Sequence, residues 1–153
     1  NQMINDSAVY PIDPYKWASE TISEIRKYSD RKIIFRDHPL QKTTNKNNIN
    51  NILENYNVVL GNNNNIEDDL KLAKCCVTLS SGSAVDSLFF GVPVIATDER
   101  SFVYEIVEND LKNIENLKIP NLEGLKSALS HTHFTLSEIL NGKCWNSIKE
   151  FIN

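Results

Sequence analysis

The apolar and polar positions change register most sharply between Cys75 and Asp98, in the stretch CCVTLSSGSAVDSLFFGVPVIATD. A short apolar run rich in β-branched residues, Cys75 to Leu79, is cut off by the small polar cluster Ser80-Ser81-Gly82-Ser83. A helix-like segment follows from Ala84 to Phe90, and Gly91 stops it. Val92-Pro93-Val94-Ile95-Ala96 then reads as a second buried strand, with Pro93 near its start where no ladder donor is needed. The pattern is strand, small-residue turn, helix, glycine, strand, which is a βαβ crossover.

The same reading extends along the chain. Asp13 caps a helix with Pro14 in its first turn, and Tyr15, Ala18, Ile22 and Ile25 share one face of it as far as about Tyr28. Residues 32–36 form a strand that ends in Asp37-His38-Pro39. Residues 41–51, rich in Lys, Thr and Asn, form a loop ahead of a short helix over 51–56. Residues 57–60 are the next strand, 61–65 a loop, and 66–73 a helix with acidic residues in its first turn. After Asp98 only helices are expected: a turn or two over 102–107, a helix from Asn121 to about His131, and two pieces around Gly142. In those last pieces Leu136, Ile139, Leu140, Trp145, Ile148, Phe151 and Ile152 are available for burial.

Four strands separated by helices predict an α/β chain: a Rossmann-like three-layer domain with an open, mostly parallel sheet, whose ligands bind at the carboxyl ends of the strands. At 153 residues, 41% of them hydrophobic, the chain suits a single domain, with a helical part at about 121–153. A net charge of −4 and scattered lysines argue against a nucleic-acid surface. No apolar stretch reaches the roughly 18 residues of a membrane span, and nothing at the start resembles a signal peptide. The expectation is a soluble, cytoplasmic protein. Beginning at Asn1 rather than Met, the chain reads as a fragment or processed product. Cys75 and Cys76 are neighbours on a strand, so their side chains take opposite faces and cannot share a metal; all three cysteines read as reduced.

On such a sheet Asp37-His38-Pro39 and Ser80-Ser81-Gly82-Ser83 follow two different strands and lie at one ligand-binding edge. The residue before a proline avoids the α region, so His38 is held extended and able to aim its ring into the crevice. The first amides of the helix after the serines point outward with the positive end of its dipole, where a phosphate fits. Asp86, one turn into that helix, can accept from a ribose diol. Each residue also has a plainer reading: the serines as a helix cap, His38 as a solvated loop residue, and Asp86 as a carboxylate placed by the dipole.

Arg36-Asp37-His38-Pro39, Thr78-Leu79-Ser80-Ser81-Gly82-Ser83-Ala84, and Asp86 with Gly91-Val92-Pro93-Val94-Ile95 together resemble the C-terminal, nucleotide-sugar-binding half of a GT-B glycosyltransferase. The likeness covers roughly residues 13–107. It is greatest to the capsule-polysaccharide group that includes bacterial sialyltransferases and Kdo transferases, and more distant to CDP-glycerol glycerophosphotransferases. The resemblance implies a nucleotide-sugar-binding set of Arg36, His38, Pro39, Ser80, Ser81, Gly82, Ser83 and Asp86. In it the His-Pro and Ser-Ser motifs contact a CMP-type donor and Asp86 holds the ribose. It assigns no catalytic residue to this chain, no metal, and no cofactor beyond the donor, which is CMP-, CDP- or UDP-linked. GT-B enzymes place their active site between two Rossmann-like domains, so the N-terminal half would have to come from elsewhere or the chain would serve in binding only. A homodimer through the crevice side is a further expectation. The first strand of the C-terminal domain is also missing, since nothing before Asp13 reads as a strand. The alternative class is a non-catalytic α/β nucleotide-binding or protein-interaction module.

Other chemistries fit less well. Ser81 lacks the flanking glycines of a Gly-x-Ser-x-Gly elbow, and no Gly-x-x-x-x-Gly-Lys-Ser/Thr loop occurs. His131, His133 and Cys144 match no common zinc spacing. Asp68-Asp69 lacks the intervening residue of a metal-binding Asp-x-Asp.

Overall fold

The computed structural model describes residues 13–36, 56–61 and 65–149, with Asn50, Ile52 and Glu54 between them. The chain divides into two compact units, Asn1–Pro120 and Asn121–Asn153.

The first unit is mixed α/β. Helix α1 (Pro14–Ile25) opens at Asp13, whose carboxylate accepts from the amides of Tyr15 and Lys16 at 2.9 and 3.2 Å. Its buried face is Tyr15, Ala18, Thr21, Ile22 and Ile25, the i, i+3, i+4 spacing of an amphipathic helix. The expected helix as far as Tyr28 stops earlier. Lys27 and Tyr28 donate to the carbonyls three residues back, of Glu24 and Ile25, so the chain tightens out of α-helical geometry after Ile25.

Strands β1 (Ile33–Phe35) and β2 (Val58–Leu60) pair in parallel, Ile33 opposite Val58 and Phe35 opposite Leu60. Residues 50, 52, 54 and 56 are helical on the way to β2, and Ile52 is buried with Tyr15, Ala18, Ile22 and Val58. Asn57, expected as the first strand residue, instead has φ 51° and terminates that helical turn, a conformation asparagine tolerates better than most residues. Helix α2 (Ile66–Leu70) follows, capped by the Asn65 side chain on the amide of Glu67.

Strand β3 (Cys76–Thr78), helix α3 (Ser83–Phe89) and strand β4 (Val94–Ala96) form the crossover expected from their sequence, with β3 and β4 parallel and Cys76 opposite Val94. Gly91, at φ 79°, supplies the left-handed residue that turns the chain out of α3. Beyond β4, Glu108 bridges in parallel to Ile95. Two 3₁₀ segments follow β4, at Tyr104–Ile106 and Leu111–Asn116, and the second buries Ile114 against Ile25 and Ile95.

Two expectations need correction. All four strands are three residues long, shorter than the four or five residues expected of each. Moreover, among the described residues they form two separate parallel pairs, β1 with β2 and β3 with β4, where one four-stranded sheet was expected. The C-terminal end of α1, at Ile25, shares a cluster with Ile33, Cys75 and Ile95. Its N-terminal turn reaches Thr97, just past β4, where the indole N–H of Trp17 donates to Thr97 Oγ1 at 2.9 Å.

The second unit carries α4 (Glu123–Thr132), α5 (Leu136–Leu140) and α6 (Lys143–Ile148). Thr135 and Glu138 cap α5 reciprocally. Leu136, Ile139, Leu140 and Trp145, expected as core residues, are exposed. Helices of five and six residues have too little surface to bury both their own apolar side chains and one another's. No helix among the described residues is long and apolar enough to cross a membrane.

Candidate functional site

The carboxyl end of β3 is built from small polar residues that bond to one another. Ser81 donates its amide to Thr78 Oγ1 at 3.2 Å. Its hydroxyl accepts from the amide of Ser83 at 3.2 Å and from the Ser83 hydroxyl at 3.0 Å. Ser87 donates back to the Ser83 carbonyl at 2.7 Å, fixing the first turn of α3 from below. Thr97, one residue past β4, donates its amide to the Thr78 carbonyl at 3.0 Å and receives Trp17, so the turn is anchored to both β4 and α1.

This network alters the role expected of the helix start. The first three amides of α3 are taken within the turn: Ser83 by Ser81 Oγ, Ala84 by the Ser81 carbonyl, and Val85 by the Gly82 carbonyl. Amides open to an anion, as the sequence suggested, are therefore not what α3 presents. A serine hydroxyl carries one donor and two acceptor sites. With both acceptor sites of Ser81 occupied, its O–H hydrogen is the group it has to offer a ligand. Gly82 is exposed, its φ of −57° is ordinary, and a Cβ built there meets no atom within 4 Å. Asp86 is exposed on α3, and no hydrogen bond ties its carboxylate among the described residues.

Arg36 leaves the carboxyl end of β1 and is held by α2. Its guanidinium donates to Asp69 Oδ2 at 2.7 Å and to the Asn65 carbonyl at 3.3 Å, and the two charged side chains are 16% and 17% exposed. His38 and Pro39 lie outside the described residues. Arg36 and Ser83 come together as lining residues of one cavity of about 560 Å³, whose remaining walls are mostly apolar side chains of α1, β1 and β3 and the α2 region. Ser80, Ser81, Gly82 and Asp86 do not line it.

The chain matches no protein-family model, no curated protein and no solved structure.

Four further residues at this edge have roles that escaped the sequence reading. Asp69 pairs with Arg36, and Gly61 makes room for it: a Cβ on Gly61 would lie 2.6 Å from Asp69 Oδ2. Asp68-Asp69 could be seen only as a failed metal motif, because the partner lies 33 residues away. On the loop after β4, Ser101 Oγ is buried with no hydrogen-bond partner among the described residues. Beside it, Asp98 accepts from the Arg100 side chain and amide, and these bonds hold its carboxyl below the usual range.

The cysteines lie where their alternation put them. Cys75 packs on the α1 side, where burial pushes its thiol up to about 11. Burial also raises Cys76, which meets Ser87 on the α3 side. Both are protonated near neutrality and poor nucleophiles. His131 contacts the Ser127 carbonyl at the end of α4, and among the described residues no group of three His, Cys, Asp or Glu side chains could hold a metal ion.

Proposed function

We propose that this chain is the donor-binding half of a metal-independent GT-B glycosyltransferase. It takes a CMP-, CDP- or UDP-linked sugar at the carboxyl edge of its strands. The observation that carries the reading is the hydroxyl cluster at the end of β3: Ser81 and Ser83 are locked together beside an exposed Gly82, with an exposed Asp86 one turn further along α3. Phosphate oxygens approach over Gly82 and receive the Ser81 O–H, while Asp86 accepts from the ribose diol. His38, which follows β1 in the sequence, is a further phosphate contact on this reading. When the glycosidic bond breaks, the departing nucleotide gains negative charge, and a preorganised hydroxyl donor stabilises that charge without rearranging. The acceptor and the catalytic base belong to a second Rossmann-like half, supplied by a partner or by another part of the polypeptide. The two parallel strand pairs then belong to one open sheet.

Calorimetric titration of CMP, CDP and UDP into the folded protein tests this. Binding of at least one nucleotide, weakened in Asp86→Asn, is expected; no heat from any of the three removes the donor site.

A second reading has an observation of its own. The Ser81 hydroxyl already serves as the cap of α3, and Arg36 is already neutralised by Asp69. Both facts suit an α/β interaction module without nucleotide affinity. A scattering profile showing a stable oligomer that covers the strand ends, in a protein that binds no nucleotide, favours that module.

A further inference from the structure

The face of β3 that meets α3 is polar, although β4 beside it is wholly apolar and buried through Val94, Ile95 and Ala96. Alternation puts Cys76 and Thr78 on one face of β3. Cys76 meets Ser87 of α3, and the Thr78 hydroxyl accepts the Ser81 amide at 3.2 Å. Thr78 and Ser87 are 2% and 0% exposed. Burying a hydroxyl costs stability unless it is bonded, and an apolar pair of the same shape often serves packing as well or better. Packing alone does not account for this polarity.

Thr78 is the hub of these contacts. Its hydroxyl takes the Ser81 amide, while its carbonyl takes the Thr97 amide at 3.0 Å and the Thr97 hydroxyl at 3.4 Å. Thr97 is fixed in turn by Trp17 of α1, whose indole N–H donates to Thr97 Oγ1 at 2.9 Å and leaves the Thr97 O–H to point at Thr78. A branched β-carbon makes Thr78 stiff about its first side-chain torsion. Its Oγ1 therefore stands in one place, and the Ser81 amide with it.

Ser81 is held from its other side as well, because the Ser83 amide and hydroxyl both donate to its Oγ. Its own O–H has one direction left. With only 9% of its surface open, Ser81 meets a ligand through a narrow window. A donor set in advance is effective only if the frame that sets it is rigid, and a shift of about 1 Å can cost about 100-fold. We propose that Thr78 is a positioning residue of the donor site: through the turn from 78 to 81 it aims the Ser81 O–H at the donor phosphate, with Thr97 and Trp17 holding Thr78 in place. This rests on the donor-binding reading and extends it to residues of β3, the segment after β4 and α1 that touch no ligand themselves.

The test is a double-mutant cycle read by calorimetric titration of CMP, CDP and UDP, with a melting temperature for every variant. Thr78→Val keeps the shape and removes the acceptor, so it is expected to weaken binding about tenfold. Thr78→Ser keeps the oxygen and should bind within about threefold of the parent, even where the lost methyl group lowers its melting temperature. In a Ser81→Ala background, Thr78→Val should cost no further affinity, because Thr78 acts only through Ser81. A loss that persists undiminished in that background overturns the proposal. So does Thr78→Val binding like the parent, or Thr78→Ser binding no better than Thr78→Val. If Thr78→Val does not fold, Thr97→Val carries the same cycle with Thr97→Ser as its rescue and an expected loss of about threefold. No loss there, or a loss independent of Ser81, again overturns it. A parent protein that binds none of the three nucleotides removes the donor reading and this proposal together, whereas a parent that binds, with additive losses in the variants, removes this proposal alone.

Discussion

Arg36 and Asp69 meet at 2.7 Å at the carboxyl end of β1, and the space they occupy exists because residue 61 has no side chain. Gly61→Ala forces the carboxylate to move, and overpacking of this kind costs about 1–3 kcal/mol. Asp69→Ala leaves a largely buried guanidinium without its charged partner, at a cost of about 1.5–3 kcal/mol for the lost charged hydrogen bond. The two losses are not additive: in the Asp69→Ala background Gly61→Ala is expected to cost far less than it does alone. Urea unfolding followed by Trp17 fluorescence in a Trp145→Phe background reads this unit. Equal costs for Gly61→Ala in both backgrounds would break the link between the two residues.

Glu108 extends the β3–β4 pair through its bridge to Ile95. Its carboxylate accepts from the amides of Asp110 and Asn109 and from the Asn113 side chain, and these bonds hold its pKa below the usual value. A carboxyl with a depressed folded pKa contributes stability that is complete above the unfolded value of about 4.3 and is lost as pH falls through the folded value. Glu108→Gln should therefore be less stable than the parent at pH 6 and converge with it as pH falls through the depressed folded value. Stability curves that stay parallel from pH 7 to 3 would show that the charge contributes nothing.

The fold was legible where one local pattern decides it. The crossover from Cys76 to Ala96 follows from an apolar run, a small-residue turn and Gly91, each of which acts on its own neighbours. The division of the strands into two pairs was not legible, because Ile34 and Val77 look like any buried strand residues until their hydrogen-bonding edges are known. Similarly, the serines stood out by spacing, but the consumption of the α3 amides by Ser81 depends on a turn geometry that no residue type dictates. Arg36 was readable as a charge at a strand end, whereas its neutralisation by Asp69 required the contact between β1 and α2.

Asp86 separates ligand binding from folding most cleanly. It is exposed and its carboxylate makes no hydrogen bond among the described residues, so Asp86→Asn should leave stability within about 0.5 kcal/mol of the parent. Nucleotide affinity should fall by about 1.5–3 kcal/mol if a ribose hydroxyl donates to the charged carboxylate. Titration with a 2′,3′-dideoxy nucleotide gives the complementary control. Equal losses for parent and variant would place Asp86 away from the ribose.

Ser81 and Gly82 are adjacent, yet their substitutions should move stability in opposite directions. Ser81→Ala removes the hydroxyl that caps the Ser83 amide, at a cost of about 1 kcal/mol of folding stability. The same change removes the donor offered to phosphate, so affinity falls as well. Gly82 has a backbone that any residue adopts and open space where its Cβ would stand. Gly82→Ala should therefore raise stability by about 0.4–1 kcal/mol, by restricting the unfolded chain. If phosphate approaches over Gly82, that added methyl group blocks it and affinity falls in a protein that has become more stable. Loss of affinity together with a gain in melting temperature cannot arise from damage to the fold. A Gly82→Ala protein that binds nucleotide as tightly as its parent would move the phosphate elsewhere and leave the serine turn as a helix cap alone.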